Sequence, residues 1–161
     1  MTNDQKSNPG SIIVDSDSLL HEMIDSCISQ TCIALDTEFI RTDTFFPKPA
    51  LIQIFDGQQV YLVDPIKFED LEPLKNLFLA PSVVKVMHSC SEDMEVFSCL
   101  VDCYPSPLVD TQVAANLVGY DFSISYQRLV EITLGEQLEK SETRSNWLNR
   151  PLTGQQLQYA A

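Results

Sequence analysis

The sequence predicts a mixed α/β domain, because three patterns recur along its 161 residues. The continuous apolar run Cys32-Ile-Ala-Leu35 ends directly on Asp36, which is typical of a buried central strand. Two β-type runs separated by Asp56-Gly57 indicate a hairpin. Apolar residues at helical spacing recur elsewhere, and they dominate the later part of the chain. Together these patterns favour one domain in which helices cover a mixed sheet.

In the first half of the chain the expected elements are closely spaced. Turn residues and prolines separate the strands, and a Ser or Asp precedes the first helical pattern. We expect a short strand over residues 11–14, a helix over 16–28, the central strand over 32–35, a loop with two prolines over 41–49, and hairpin strands over 51–55 and 60–63.

In the second half, helical patterns alternate with one further strand. Capping residues set the helix ends: Asp110 and Thr153 at two starts, and Gly119 at one stop. We expect a helix over residues 68–79, a strand over 83–87, and helices over about 92–101, 110–118 and 125–134, with a last helix from 153 onward.

Composition limits the function classes. No apolar stretch approaches the roughly 18–20 residues that span a bilayer, and the polar residues 1–10 read as a flexible leader without a signal core, so we expect a cytoplasmic protein. Five cysteines without paired spacing argue against a disulfide framework or a zinc ribbon. The net charge of −13 is unusual for a nucleic-acid binder, although a metal-dependent nuclease concentrates carboxylates by necessity.

Asp36 and Glu38 are the first candidate site residues. Side chains two apart on a strand point to the same side, so both carboxylates would meet at one end of the sheet. Oxygen ligands of this kind suit Mg²⁺ or Mn²⁺, and like charges are crowded together at a cost unless a cation compensates. The spacing alone equally fits acids at a solvated strand end.

The other candidates each have a structural alternative. Asp93 and Asp110 both read as acids at helix starts. His88 reads as a hydrogen-bonded core histidine as readily as a ligand. Tyr159 reads as a half-buried aromatic on the last helix.

Taken together, these residues lie within a longer pattern that resembles ribonuclease D. The resemblance is collinear from Ser11 onward. Its segments are residues 33–47 with 51–54 around the first acids, 88–97 around Asp93, 107–115 in the following helix, and 140–152 with 158–161 leading into the tyrosine.

The resemblance implies an RNase H-like fold, a mixed central sheet of about five strands flanked by helices, with the exonuclease domain over residues 11–161. It places the chain in the tyrosine branch of the DEDD exonucleases, which remove nucleotides from RNA 3′ ends. The implied partners are the 3′ ends of tRNA precursors and other small structured RNAs. Neither a membrane nor an obligate protein partner is implied.

The resemblance also assigns roles. Asp36 and Glu38 would bind the first of two Mg²⁺ or Mn²⁺ ions, Asp36 and Asp93 the second, and Tyr159 would orient the attacking water. Two cations about 4 Å apart stabilise both the attacking and the leaving oxygens of a phosphodiester. The implied substrate contacts are Thr37, Phe39, His88, Arg144 and Trp147.

The pattern calls for a fourth acid, four residues after the tyrosine. That position, 163, lies past Ala161. We therefore expect a domain truncated in its third motif and without the helical HRDC domains of the family, with impaired activity. Two alternatives stay open: a proofreading-like DNA exonuclease, and a catalytically silent nucleic-acid-binding fragment.

Overall fold

The computed structural model describes residues 10–138 and 145–161. The strands are β1 (Ile12–Val14), β2 (Cys32–Ile40), β3 (Lys48–Phe55), β4 (Val60–Val63), β5 (Val84–Met87) and β6 (Leu108–Asp110). The helices are α1 (Asp17–Ile28), α2 (Leu74–Phe78), α3 (Ser91–Val101), α4 (Thr111–Leu117), α5 (Tyr126–Leu134) and α6 (Gly154–Ala160). Across the described ranges, no helix has the length and apolar character needed to cross a bilayer.

The strands form one mixed six-stranded sheet in the order β1-β4-β3-β2-β5-β6. β3 runs antiparallel to both of its neighbours, whereas β2, β5 and β6 are parallel. The central position of β2 follows from its apolar run, which needs cover on both sides. The carboxyl ends of β2 and β5 therefore meet at one edge of the sheet, and α3 begins just beyond that edge.

Most of the expected elements are confirmed, including the hairpin and the helix starts at Ser16, Asp110, Ser125 and Thr153. The helix expected over residues 68–79 is wrong at its start. It begins only at Leu74, because Pro73 disfavours a helical conformation at the residue before it.

Two strands differ from the expectation. β2 continues through Ile40 because its polar half, from Asp36, pairs with β3. That pairing also draws Lys48 and Pro49 out of the expected loop and into β3. β6 was not expected, since its three residues are recognisable only from their parallel pairing with β5, and it makes the sheet one strand larger than the five implied by the resemblance.

The main core lies on the face of the sheet covered by α1, α2 and α3. Inward side chains of β2 and β3 alternate with outward ones, as the period of a strand requires. Phe97 of α3 meets Phe78 of α2 edge to face, with ring centroids 4.9 Å apart. Both rings are completely buried, so α3 is fixed firmly against the sheet.

A smaller core lies on the opposite face, where α6 and the segment before it cover β3 and β4. Trp147 and Ala160 pack there with Leu51 and Leu62. Arg150 anchors the segment through its guanidinium, which donates to the Ala50 and Trp147 carbonyls and to the Asp64 carboxylate. This second core determines where α6 lies over the sheet.

Candidate active site

The candidate site lies in the carboxyl-terminal half of β2. Asp36 and Glu38 project from the face that carries the smaller core, and the intervening Thr37 projects from the other. Asp36 lies directly across from Gln53 on β3, and Glu38 across from Leu51. A bulge between Glu38 and Phe39 ends the regular register. The expected placement of both carboxylates on one face of the strand is thus present, but they lie within β2 and not at its end, because the strand continues through Ile40.

Asp93 reaches the same place from the first turn of α3. It is only 7% exposed, and one oxygen accepts a hydrogen bond of 2.5 Å from the Thr37 hydroxyl. The Thr37 amide in turn donates to Asp36 over 2.9 Å. Thr37 therefore holds both aspartates, one through its side chain and one through its backbone.

The electrostatics of the three carboxylates show that they act on one another. Desolvation by the surrounding protein, followed by the charge of Asp93, raises the pKa of Asp36 to about 6. The Asp36 side chain nevertheless keeps access to water through an open cleft. Desolvation, followed by the charges of Asp36 and Asp93, raises the pKa of Glu38 to about 8. Burial also raises the pKa of Asp93, against the opposing hydrogen bond from Thr37. Without a compensating cation, these acids resist ionisation.

Tyr159 of α6 lies close to the carboxylates of Asp36 and Glu38. Its pKa is raised by desolvation and then by the charges of Glu38 and Asp36, so the phenol lies within the field of both acids. Its ring packs against Trp147, with centroids 6.0 Å apart. Trp147 is 3% exposed, so in the structure it is a buried packing partner of the Tyr159 ring. Its role as a substrate contact remains a prediction.

A cleft of about 410 Å³ opens beside these residues. It is lined by Asp36 and Tyr159 together with Gln53, Tyr126 and His88. Gln53 and Tyr126 were not among the candidates from sequence. Gln53 lies opposite Asp36 through the pairing of β3 with β2, and the predicted hairpin, which pairs β3 with β4, contained no signal for that contact. Tyr126 had no signal either, since α5 reaches the cleft only through tertiary packing.

His88 lines the cleft with both ring nitrogens in contact with protein groups. Nδ1 lies 2.9 Å from the Thr111 hydroxyl, and Nε2 lies 3.0 Å from the Ile124 carbonyl. Asp110 has the capping role considered for it, accepting from backbone amides that include those of Ser89 and Gln112. The substrate contact expected of His88 remains a prediction.

The remaining candidates lie at the margin or outside the described residues. Phe39 is half-buried just after the bulge. Nearby, Arg41, which was not among the candidates, is ion-paired with Glu95 and Glu92 of α3. Arg144 lies outside the described residues, as does the expected leader except for Gly10.

The donor set suits a divalent cation in type and charge. Three carboxylates offer hard oxygen ligands, and their raised pKa values reflect the burial and mutual repulsion that a cation would offset. Within residues 10–138 and 145–161, however, no three His, Cys, Asp or Glu side chains are placed so that they could hold a metal ion. Cation binding by Asp36, Glu38 and Asp93 would therefore require their side chains to move.

The sheet order and its helical cover define an RNase H-like α/β domain. A family model described as 3′-5′ exonuclease matches residues 11–161. The chain belongs to this 3′-5′ exonuclease family.

Relatives within the family are ribonucleases D, which confirms the resemblance. The chain is 50% identical to ribonuclease D of Pseudomonas paraeruginosa over 133 residues, which cover 83% of this chain and 35% of that protein. It also matches the crystal structure of Escherichia coli RNase D with a TM-score of 0.90 and 42% identity, covering 94% of this chain and 40% of the other. The Nibbler EXO domain of Aedes aegypti matches with a TM-score of 0.81 and 29% identity, covering 92% and 79%. The chain thus spans 35% of the Pseudomonas paraeruginosa protein and 40% of the Escherichia coli protein.

Proposed function

We propose that this chain is a metal-dependent 3′-5′ exoribonuclease domain of the ribonuclease D type. It would remove 5′-mononucleotides one at a time from RNA 3′ ends, with tRNA precursors and small structured RNAs as substrates. The observation that carries the proposal is that Asp36, Glu38 and Asp93 converge on one part of β2, where desolvation and then the charge of Asp93 raise the pKa of Asp36 and add to the raised pKa of Glu38. The matched Escherichia coli protein is described as an exoribonuclease involved in structured RNA processing, which supports the same substrate class.

Asp36, Glu38 and Asp93 would hold two divalent cations, Mg²⁺ or Mn²⁺. When bound, such cations supply water activation and stabilise charge on the phosphate oxygens. The chain's own contribution is to hold the carboxylates in place. Thr37 does this for Asp36 and Asp93 through two hydrogen bonds.

Tyr159 would orient the attacking water. Desolvation and the nearby acids raise the pKa of its phenol, so the hydroxyl keeps its proton at neutral pH. A protonated phenol both donates and accepts a hydrogen bond. The ring of Trp147 fixes the direction from which that hydroxyl enters the cleft.

The test of the proposal is nucleotide release from a 3′-labelled RNA in Mn²⁺, with Asp36→Asn as the variant. We expect the variant to lose at least about a hundredfold in rate, because one preorganised charge in such a site is worth that much. Asp110→Asn is no suitable control, since Asp110 caps α4. The exposed Asp25→Asn on α1 is suitable, and it should leave the rate unchanged.

The same assay separates the alternatives. Equal trimming by wild type and Asp36→Asn contradicts the metal assignment. Preference for a DNA strand of the same sequence points to a DNA exonuclease. Absence of trimming with retained RNA affinity points to a silent binding module.

We further propose that residues 1–161 by themselves bind the cations weakly. They contribute three of the four carboxylates that the resemblance implies. A version extended through an aspartate at position 163 should bind Mn²⁺ more tightly and trim RNA faster. Titration calorimetry and the trimming assay on both lengths check this, and equal affinities and rates would contradict it.

A further inference from the structure

Two adjacent phenylalanines are exposed on the loop over residues 41–47, which joins β2 to β3. Phe45 is 85% exposed and Phe46 is 63% exposed. Their rings meet edge to face, with centroids 5.0 Å apart and planes at 86°. Scattered single apolar side chains on a surface are ordinary, whereas two exposed aromatic rings in contact offer a surface on which a flat partner can pack. Phe45 and Phe46 are called the aromatic platform below.

The loop that carries the aromatic platform is held at both ends and within. Arg41 is ion-paired with Glu92 and Glu95 of α3. The Thr44 hydroxyl donates to the Phe46 carbonyl over 2.7 Å. Pro47, which follows the platform, is buried. The two rings are therefore presented to solvent by contacts that fix their backbone.

The position of the loop links the aromatic platform to the carboxylates. The loop begins where β2 ends, three residues after Glu38. The two glutamates that pair with Arg41 flank Asp93 on α3. The platform and the three acids therefore share one edge of the sheet.

We propose that the aromatic platform stacks on bases of the single-stranded RNA tail whose 3′ end lies at the carboxylates. The inference rests on the proposed function, because an RNA strand whose 3′ end lies at the carboxylates would extend across the same edge of the sheet. Aromatic faces stack on any base without reading its identity, which suits an enzyme that removes successive nucleotides. The exposed Lys48 next to the platform adds a positive charge for the backbone.

The position of the platform, on the loop that directly follows the strand carrying Asp36 and Glu38, favours the RNA tail as its occupant, and the net charge favours attachment through bases over attachment through phosphates. The chain carries 23 acidic and 10 basic residues, so the part of the tail that lies elsewhere on the domain meets repulsion. Stacking on uncharged rings supplies affinity without requiring a broad basic patch. Attachment through bases therefore compensates for a surface that is poorly suited to phosphates.

The test compares RNA binding by wild type, Phe45→Ala/Phe46→Ala and a matched control. Tyr104→Ala is the control, because Tyr104 is 61% exposed and precedes β6, at the opposite edge of the sheet. Binding of a fluorescent 12-nucleotide single-stranded RNA is followed by anisotropy in EDTA, where cleavage does not occur. We expect the double variant to bind at least about fivefold more weakly, the lower limit for losing one stacked base, and the control to bind as wild type does.

A second readout uses hydrolysis in Mn²⁺. The double variant should show a raised KM for the 12-nucleotide RNA and a smaller change with a dinucleotide, which has only one nucleotide ahead of the scissile bond. Equal RNA affinity of wild type and double variant overturns the inference, as does an equal loss in Tyr104→Ala. If the platform instead binds a second copy of the chain, wild type will sediment as a dimer and the double variant as a monomer. That result also overturns the inference. Failure of the proposed function gives a different result. Neither wild type nor the variants would then hydrolyse RNA, while the double variant would still bind RNA more weakly than wild type.

Discussion

At the scale of single residues, the site is organised around acids that the fold makes difficult to ionise. Asp36 and Glu38 lie on one face of β2, and Asp93 approaches from α3. Their raised pKa values reflect desolvation by the surrounding protein, followed by the charges of neighbouring acids. An arrangement of this kind costs stability in the absence of a cation, and such a cost is common at functional sites.

The first prediction concerns Glu38 in the metal-free protein. Its pKa is about 8, against an ordinary value of 4.5. Between those values the folded state retains a proton that the unfolded chain has lost, so stability falls as the pH rises through this window. Glu38→Gln removes that loss, and we expect it to unfold at a higher temperature than wild type at pH 8 in EDTA, with little difference near pH 4. Thermal unfolding at both pH values measures the effect.

The exposed Glu69→Gln is the control for this comparison. It should shift the unfolding temperature equally little at both pH values. Saturating Mn²⁺ should stabilise wild type more than Glu38→Gln, because the variant lacks one carboxylate ligand. A Glu38→Gln protein no more stable than wild type at pH 8 would show that Glu38 is not destabilised by its surroundings.

At the scale of elements, the position of α6 depends on the segment that precedes it. The Arg150 guanidinium forms a two-pronged contact with Asp64, at 2.6 Å from Nε and 2.7 Å from Nη2. Asp64 is 4% exposed and also accepts from the Ile66 amide. This pair ties the chain before α6 to the end of β4, and through Trp147 it sets the position of Tyr159.

The second prediction is that Arg150→Met lowers the free energy of unfolding by about 3 kcal/mol, the usual lower cost of leaving one partner of a buried ion pair alone. Because the chain has a single tryptophan, fluorescence of Trp147 reports directly on this segment. We expect its urea transition to precede the transition seen by far-UV circular dichroism.

The double variant Asp64→Asn/Arg150→Met provides the matched control. The amide keeps an acceptor for the Ile66 backbone but carries no charge, so much of the lost stability should return. If the double variant is as unstable as Arg150→Met, the loss comes from packing of the Arg150 side chain and not from the unpaired carboxylate.

At the scale of the whole molecule, the charge balance limits how the proposed RNA substrate could bind. A net charge of −13 does not favour a broad electrostatic interface. The sheet edge that carries the acids has Arg41 and Lys48 beside the aromatic platform. Affinity for a strand at this edge should therefore depend more on stacking than on phosphate contacts.

The third prediction follows from that balance. Each neutralised phosphate of a single strand contributes about −0.7 to the slope of log affinity against log salt. With about two phosphate contacts, RNA affinity should fall by only about sevenfold between 50 and 200 mM salt. Anisotropy titrations with the 12-nucleotide RNA measure the slope. A fall of a thousandfold or more would reveal a basic interface that Arg41 and Lys48 do not account for.

The sequence determined the family, the order of most elements and the identity of the candidate acids. These features are local: the apolar run before Asp36, the turn at Asp56-Gly57 and the caps at Asp110 and Thr153 each follow from neighbouring residues. The spacing of Asp36 and Glu38 placed both on one face of a strand, and the structure has them there.

Only the tertiary structure decided what those residues meet. The contact between Thr37 and Asp93 joins residues 56 positions apart, and the support of Tyr159 by Trp147 depends on how α6 packs over β3 and β4. The addition of β6, the position of Gln53 in the cleft and the exposure of Phe45 and Phe46 likewise arise from pairing and packing. Local patterns fix which residues form strands and helices, whereas burial and charge coupling depend on distances that the chain acquires only when it folds.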